Sequence, residues 1–240
     1  DLDSSEGFVV VGANEGGYAG LAVSTAGDVN GDGLDDYIVG APYGSTADGR
    51  VGEAYVIFGT GRPGDINLAK LSTDVGFAVR GLASDDQTGR AISAAGDVNG
   101  DGFDDLIIGA PYGDAGGSDA GQAYVIFGGL NPDDVDVSTL SDSEGFVIQG
   151  GEAGALASWS VSSAGDVNGD GFDDVLVGAP YGSAGGAYSG QAYLIFGAAD
   201  PAPVKLGDLQ DSQGVIIAGE AAGDYLAWSV ASAGDVNGDG

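Results

Sequence analysis

The chain has 240 residues, with 37 acidic against 6 basic side chains, a formal net charge of −31, 43% hydrophobic residues, and neither Cys nor His. The apolar content is enough for a sizeable core and argues against a disordered acidic tail. The charge repels phosphate backbones and anionic lipid, and the missing Cys and His exclude disulfides, thiolate-held zinc sites, thiol nucleophiles and serine–histidine triads.

In chain order, Gly7-Phe8-Val9-Val10-Val11 reads as a short strand, followed by a Gly-rich acidic turn, Ala13 to Gly20. Leu21 to Ala26 is predicted as a strand of mostly small residues, suited to crowding against its equivalents near a central axis. An acidic loop, Gly27-Asp28-Val29-Asn30-Gly31-Asp32-Gly33-Leu34-Asp35-Asp36, comes next. Tyr37-Ile38-Val39-Gly40 is continuously apolar, as in a strand buried on both faces. It runs into Gly-Ala-Pro-Tyr-Gly, where Pro stops pairing. Ser45 to Gly52 is a variable loop, Ala54 to Phe58 a further strand, and the connector after it carries part of the sparse positive charge, Arg62 and Lys70, with Lys205 in a later copy.

The whole pattern then repeats. Asp28, Asp97, Asp166 and Asp235 recur at a constant spacing of 69 residues. The predicted organisation is one segment over 1–240, with repeats 1–69, 70–138 and 139–207 and a partial repeat 208–240. Small-residue strands are expected at Arg90 to Ala95, Trp159 to Ala164 and Trp228 to Ala233. Four short strands per unit with tight turns and no convincing helix give an all-β class and the blade of a β-propeller, about three and a half blades in all. A stacked β-solenoid is the alternative, although its repeats are usually much shorter.

The loop carries the chemistry. A hard cation such as calcium takes six to eight oxygens from carboxylates, amides and carbonyls. Loop positions 1, 3, 5 and 9 are Asp28, Asn30, Asp32 and Asp36; then Asp97, Asn99, Asp101 and Asp105; then Asp166, Asn168, Asp170 and Asp174. Position 7 (Leu34, Phe103, Phe172) offers only its backbone carbonyl. Position 6 is Gly each time (Gly33, Gly102, Gly171), which permits the sharp turn. The expectation is three complete calcium sites and a fourth, truncated one at Asp235, Asn237 and Asp239. A solvated acidic turn is the bland reading, but turns need no such spacing. An EF-hand needs Glu at position 12, where Val39, Ile108 and Val177 stand, and helical flanks, where β-branched runs stand. Magnesium prefers a stricter octahedron and keeps its waters.

In these residues the chain resembles the FG-GAP repeat of integrin α-chain propellers and their bacterial relatives, over its whole length. The marks are Asp-x-Asn-x-Asp-Gly-x-x-Asp and the following Gly-Ala-Pro, three times over. The Phe-Gly element departs: where the family places it, before the small-residue strand, this chain has Ala19-Gly20, Thr88-Gly89, Ala157-Ser158 and Leu226-Ala227. The Phe-Gly at Phe58, Phe127 and Phe196 ends a different strand. The resemblance implies a seven-bladed propeller with calcium in the loop between the first two strands of each blade, on the lower face. It implies a ligand face at the opposite end, built from Ala13 to Gly20, Ser45 to Gly52 and their copies. Those segments vary most between units, as binding surfaces do and as freely drifting exposed turns also do. Three and a half blades cannot close a ring, so the sequence is expected to be a piece of a longer chain, or the ordered part of one, with self-assembly through open ends as a further possibility.

Function follows from what recurs. Carboxylates stamped out at one phase in every unit are scaffold, whereas an active site is normally unique, and the few Arg and Lys show no convergent partners in sequence. The expectation is a non-catalytic, calcium-binding module for adhesion or recognition, extracellular or at the cell surface, with a protein or glycan ligand on the face opposite the calcium loops. It is expected to bind no nucleic acid and to insert into no membrane: no apolar run approaches a span, and no signal peptide heads the chain. An architectural repeat of a surface layer, filament or giant secreted protein is the alternative, and an accessory module of a secreted hydrolase is another, since related repeats accompany some secreted phospholipases. Trp159 and Trp228 share one phase with Leu21 and Arg90; they read either as a stacking platform for a sugar or peptide aromatic, or as packing between blades.

Overall fold

The apolar run after each acidic loop becomes the second strand of a twisted antiparallel sheet, and the computed structural model describes residues 7–46, 49–60 and 64–234. After a short strand β1 (Val10–Val11), the first sheet is built from β2 (Ala22–Gly27), β3 (Asp36–Ala41) and β4 (Glu53–Ile57). A two-residue strand β5 (Ile66–Asn67) leads through a 3-10 turn to β6 (Gly76–Arg80), which pairs antiparallel with β4. The second sheet repeats this as β7 (Ala91–Gly96), β8 (Asp105–Ala110), β9 (Gln122–Ile126), β10 (Val135–Asp136) and β11 (Gly145–Gln149). The third has β12 (Ser160–Gly165), β13 (Asp174–Ala179), β14 (Gln191–Ile195), β15 (Val204–Lys205) and β16 (Gly214–Ala218). Strand order is β2-β3-β4-β6 and its equivalents, so these are blades of a partial β-propeller. Apart from three 3-10 turns, no helix occurs among the described residues.

The opening strand of each sequence unit is the outermost antiparallel strand of the preceding sheet. A sheet thus takes three strands from one unit and one from the next, which binds neighbouring units together. The short strand of the following connector then joins in parallel: β10 on β6, β15 on β11, and β5 on β1.

The core lies between sheets. Ala26, Ile38, Val56 and Phe77 of the first blade pack with Leu106, Ile108 and Ile126 of the second in one buried cluster. Ile107, Val125 and Ile148 of the second do the same with Val161, Val177 and Ile195 of the third. The middle strands are buried on both faces, as their unbroken apolar runs require.

One expected strand does not form. Trp228 to Ala233 carries no strand, unlike Ala22–Gly27, Ala91–Gly96 and Ser160–Gly165. Each of those three pairs with the strand that follows its own acidic loop, and the 240 residues contain no such partner for the fourth copy.

Candidate metal centre

Each described acidic loop joins the first two strands of a blade. The strand entering it carries a β-bulge, with the register shifting between Thr25 and Gly27, Ala94 and Gly96, and Ser163 and Gly165. The bulged glycine is left-handed (φ 76°, 78° and 72° at Gly27, Gly96 and Gly165), which turns the chain out of the sheet and into the loop.

Within the loop, oxygen-bearing side chains fold back over the backbone. Asp28 accepts hydrogen bonds from the amides of Asp32 (3.0 Å) and Gly33 (2.9 Å). Asn30 accepts from Asp32 N (2.9 Å), and Asp32 accepts from Leu34 N (2.9 Å). Asp97, Asn99 and Asp101, and Asp166, Asn168 and Asp170, repeat this pattern. Asp32, Asp101 and Asp170 are exposed. Among the described residues, no three His, Cys, Asp or Glu side chains are grouped closely enough to hold a metal ion as they stand; the carboxylates of each loop accept from its own amides. Asp235, Asn237 and Asp239 lie outside the described residues.

Position 9 behaves differently. Asp36 is buried, accepting from Val29 N at 3.0 Å and from Gly59 N at 2.7 Å. Asp105 does the same with Val98 and Gly128, and Asp174 with Val167 and Gly197. This gives the Phe-Gly at the end of β4, β9 and β14 a role that sequence reasoning missed: its glycine amide ties the third strand to the loop's last carboxylate. The constant separation of Asp36 from Gly59 was the available signal. Burial raises all three carboxyls above the ordinary Asp range, against the two amides that lower them. Repulsion from the aspartates at loop positions 5 and 1 adds to the rise, and Asp105 is pushed up to about 7.

A second missed residue is position 8. Asp104 of the second loop accepts from Asp28 N in the first, and Asp173 of the third from Asp97 N in the second (2.9 Å). Phe103 and Phe172, expected to supply only carbonyls, also lie where a side chain on Gly31 or Gly100 would be. The first and second loops are therefore each covered by the next blade. Val29 and Val98 are fully buried, whereas Val167 in the third loop is 58% exposed.

The segments Ala13 to Gly20 and Ser45 to Gly52 lie at the far end of the strands from the acidic loops, since β3 leaves the loop at Asp36 and reaches the second of them after Ala41; residues 47–48 lie outside the described set. On this side Trp159 packs between units, with the Arg90 guanidinium 4.6 Å from its ring centre and Trp228 at 5.3 Å. Tyr181, Tyr188 and Tyr225 extend the cluster.

Known proteins share this arrangement of motifs. The FG-GAP repeat family matches residues 19–57, 88–126 and 158–195. Integrin alpha-PS2 of Drosophila melanogaster is 30% identical over 194 residues, covering 79% of this chain and 13% of the relative. Integrin alpha-5 of Xenopus laevis is 34% identical over 169 residues, 68% of this chain and 15% of the relative. Phosphatidylinositol-glycan-specific phospholipase D of Bos taurus is 34% identical over 183 residues, 70% of this chain and 20% of the relative. The chain thus spans a small part of each relative's length. With three matched repeats, each carrying its acidic loop between the first two strands of a blade, the chain belongs to the FG-GAP repeat family.

Proposed function

We propose that this chain is a calcium-binding, extracellular adhesion or recognition module without catalytic activity of its own. The observation that carries the calcium reading is the loop itself: Asp97, Asn99, Asp101 and Asp105 are gathered in one curled turn between the first two strands of a blade, with no basic side chain in the loop to offset the carboxylates. The same arrangement recurs in the loops that end at Asp36 and Asp174. Asp28, Asn30, Asp32 and Asp36, with the Leu34 carbonyl, would hold the ion in the first blade. Asp97, Asn99, Asp101 and Asp105 with Phe103, and Asp166, Asn168, Asp170 and Asp174 with Phe172, would do so in the others. Calcium supplies the positive charge that the crowded carboxylates lack. Occupancy requires Asp28 and Asp32 to exchange their amide partners for the ion. The chain's own contribution is a loop already curled by left-handed Gly31 and Gly33 (φ 74° and 86°) and roofed by the next blade. Fixing the first two strands in this way stiffens the opposite face for a partner, a protein or a glycan.

Similarity to integrin α chains favours adhesion or recognition and a cell-surface setting. The match to a phospholipase D favours a second reading, an accessory module beside a hydrolase. The two diverge on Ser45 to Gly52 and its copies: substitutions there abolish surface binding without unfolding in the first reading and leave it unchanged in the second. No helix among the described residues is long and apolar enough to cross a membrane.

Thermal unfolding in millimolar calcium and then in excess chelator tests the metal. A site filled at about 100 times its dissociation constant stabilises by roughly 2.7 kcal/mol. The midpoint should rise by many degrees, and Asp32→Ala, Asp101→Ala and Asp170→Ala should remove the rise stepwise. An unchanged midpoint withdraws both the metal and the extracellular assignment.

A further inference from the structure

In the first two sheets the end remote from the acidic loop opens into a cleft beside the outer strand. In the first blade it measures about 380 Å³, and Asn14, Glu53, Tyr55, Leu68, Arg80 and Asp134 are among its lining. The second blade has a cleft of about 390 Å³ lined by residues at the same phase, including Gln122, Tyr124, Val137 and Gln149. Both volumes suit small ligands, whose sites occupy about 300–1,000 Å³.

Comparing the units separates scaffold from addition. Glu53 and Arg80 face each other across the β4–β6 ladder. The equivalent pairs are Gln122 with Gln149 and Gln191 with Ala218. The fold therefore closes this ladder with neutral residues in two of three blades and does not require the charges. A buried ion pair is often no more stabilising than neutral residues of similar volume, so packing alone does not explain the charged version.

The groups are held firmly. The Glu53 side chain is 7% exposed, and its Oε2 accepts from Tyr55 Oη at 2.7 Å and Asn14 Nδ2 at 3.1 Å. Arg80 Nε stands 3.9 Å from Glu53 Oε1. Arg80 Nη2 donates to Asp134 Oδ2 at 2.7 Å, and Ala78 N donates to Asp134 Oδ1 at 2.8 Å. The Arg80 side chain remains 38% exposed. An anion entering here meets two carboxylates. A cation must displace the guanidinium from Asp134. A neutral ligand with adjacent hydroxyls meets neither obstacle: one hydroxyl accepts from the guanidinium, another donates to a carboxylate, and half-buried Leu71 offers an apolar surface to its C–H face.

We infer that this cleft binds a single neutral sugar residue of a glycan. The inference rests on reading the face opposite the acidic loops as the ligand face, and it gives that face a chemistry and a position. The probe is a set of methyl glycosides of neutral hexoses and N-acetylhexosamines. They are titrated at millimolar concentrations into the full chain in calcium, with methylguanidinium and sulfate as charged controls, and read from the Arg80 Nε–H resonance. At least one glycoside should saturate the signal. Glu53→Gln with Arg80→Gln installs the pair that the second blade already folds with, so it should weaken binding at least about tenfold at an unchanged melting midpoint, read for the variant from backbone amides lining the cleft. Failure of every glycoside to saturate overturns the inference, as does a response confined to the charged controls or equal affinity in the double variant. A melting scan of the same sample in calcium and chelator keeps the two ideas apart: an intact calcium shift with no glycoside binding removes the cleft alone.

Discussion

Asp104 Oδ2 accepts the Asp28 amide at 2.8 Å, while the Asp104 amide donates back to the Asp28 carbonyl at 3.3 Å. The eighth residue of one acidic loop is thus bound to the first residue of the loop before it, and Asp173 repeats this with Asp97 (2.9 and 3.0 Å). Asp35 occupies the same loop position in the first blade and is exposed. Removing Asp104 leaves an amide without its charged acceptor, a loss of about 1–3 kcal/mol. Asp104→Ala and Asp173→Ala should each lower the melting midpoint, by about 2–4 °C for every kcal/mol. Asp35→Ala removes the same charge from the same position and should change little. Equal shifts in all three would mean that the effect is general charge and not the strut between blades.

Gly27 makes room for that strut. A Cβ there would press into the Asp104 carboxylate, which cannot swing away without releasing Asp28. At Gly165 the backbone is just as left-handed, but nothing lies within 4 Å. Ala at Gly165 should cost only the left-handed conformation, about 1–2 kcal/mol. Gly27→Ala should cost more, because it adds loss of the strut. In an Asp104→Ala background the part of the extra cost that comes from the carboxylate should disappear, although the Cβ of residue 104 still lies 2.7 Å from the added methyl, giving a non-additive cycle in chemical denaturation. Additive costs would separate the glycine from the carboxylate.

The blades and loops were legible because their signals are local and repeat. Alternation of apolar runs, turn glycines and loop aspartates marked every antiparallel strand of the three sheets, but the short parallel strands β5, β10 and β15 lie in stretches that read only as connectors, and Trp228 to Ala233 forms no strand. The residues that join blades were not legible. Asp104 meets Asp28 across 76 positions and Arg80 meets Asp134 across 54. Nothing in a single unit distinguishes position 8 from any exposed turn acid, since its partner exists only once neighbouring sheets pack. The Phe-Gly glycine was misjudged for a related reason: it acts through its amide, which leaves no side-chain signature. Arg80, which showed no convergent partner in the sequence, meets Glu53 only when β6 joins the preceding sheet, and Asp134 only when the later connector returns to pair β10 with β6.

Asp86 should tie stability to pH outside the loops. The residue is 5% exposed, and burial, with the charge of Asp114 next and smaller contributions from Asp85 and Asp119, pushes its carboxyl up to about 6 from an ordinary 3.8. The folded state therefore binds this proton more tightly than the unfolded state does. The stability it contributes is complete below about pH 4 and is lost as pH rises through 6. Asp86→Asn imitates the protonated form. Its stability should exceed the parent's above pH 6, by an amount on the order of 1–3 kcal/mol, and the two should converge near pH 4. Scans in chelator across this range check it, and the difference between the two proteins cancels the loop carboxylates. A gain that persists at pH 4 would assign the effect to something other than this proton.

The two tryptophans should be distinguishable in solution. Trp159 is half-buried between Arg90 and Trp228, with Tyr181 a further 6.5 Å contact, whereas Trp228 is 50% exposed. Trp228→Phe leaves Trp159 as the reporter, so its emission should lie at shorter wavelength and resist acrylamide more than that of Trp159→Phe. Arg90→Leu installs the residue that Leu21 supplies at this phase in the first unit. It removes a guanidinium–ring contact worth about 0.5–1 kcal/mol, and that loss should vanish when Trp159 is already Phe. The readings of this phase then separate. A stacking platform for a ligand predicts tryptophans equally open to quencher and indifferent to Arg90. Packing between units predicts unequal quenching and energetic coupling across the blade boundary.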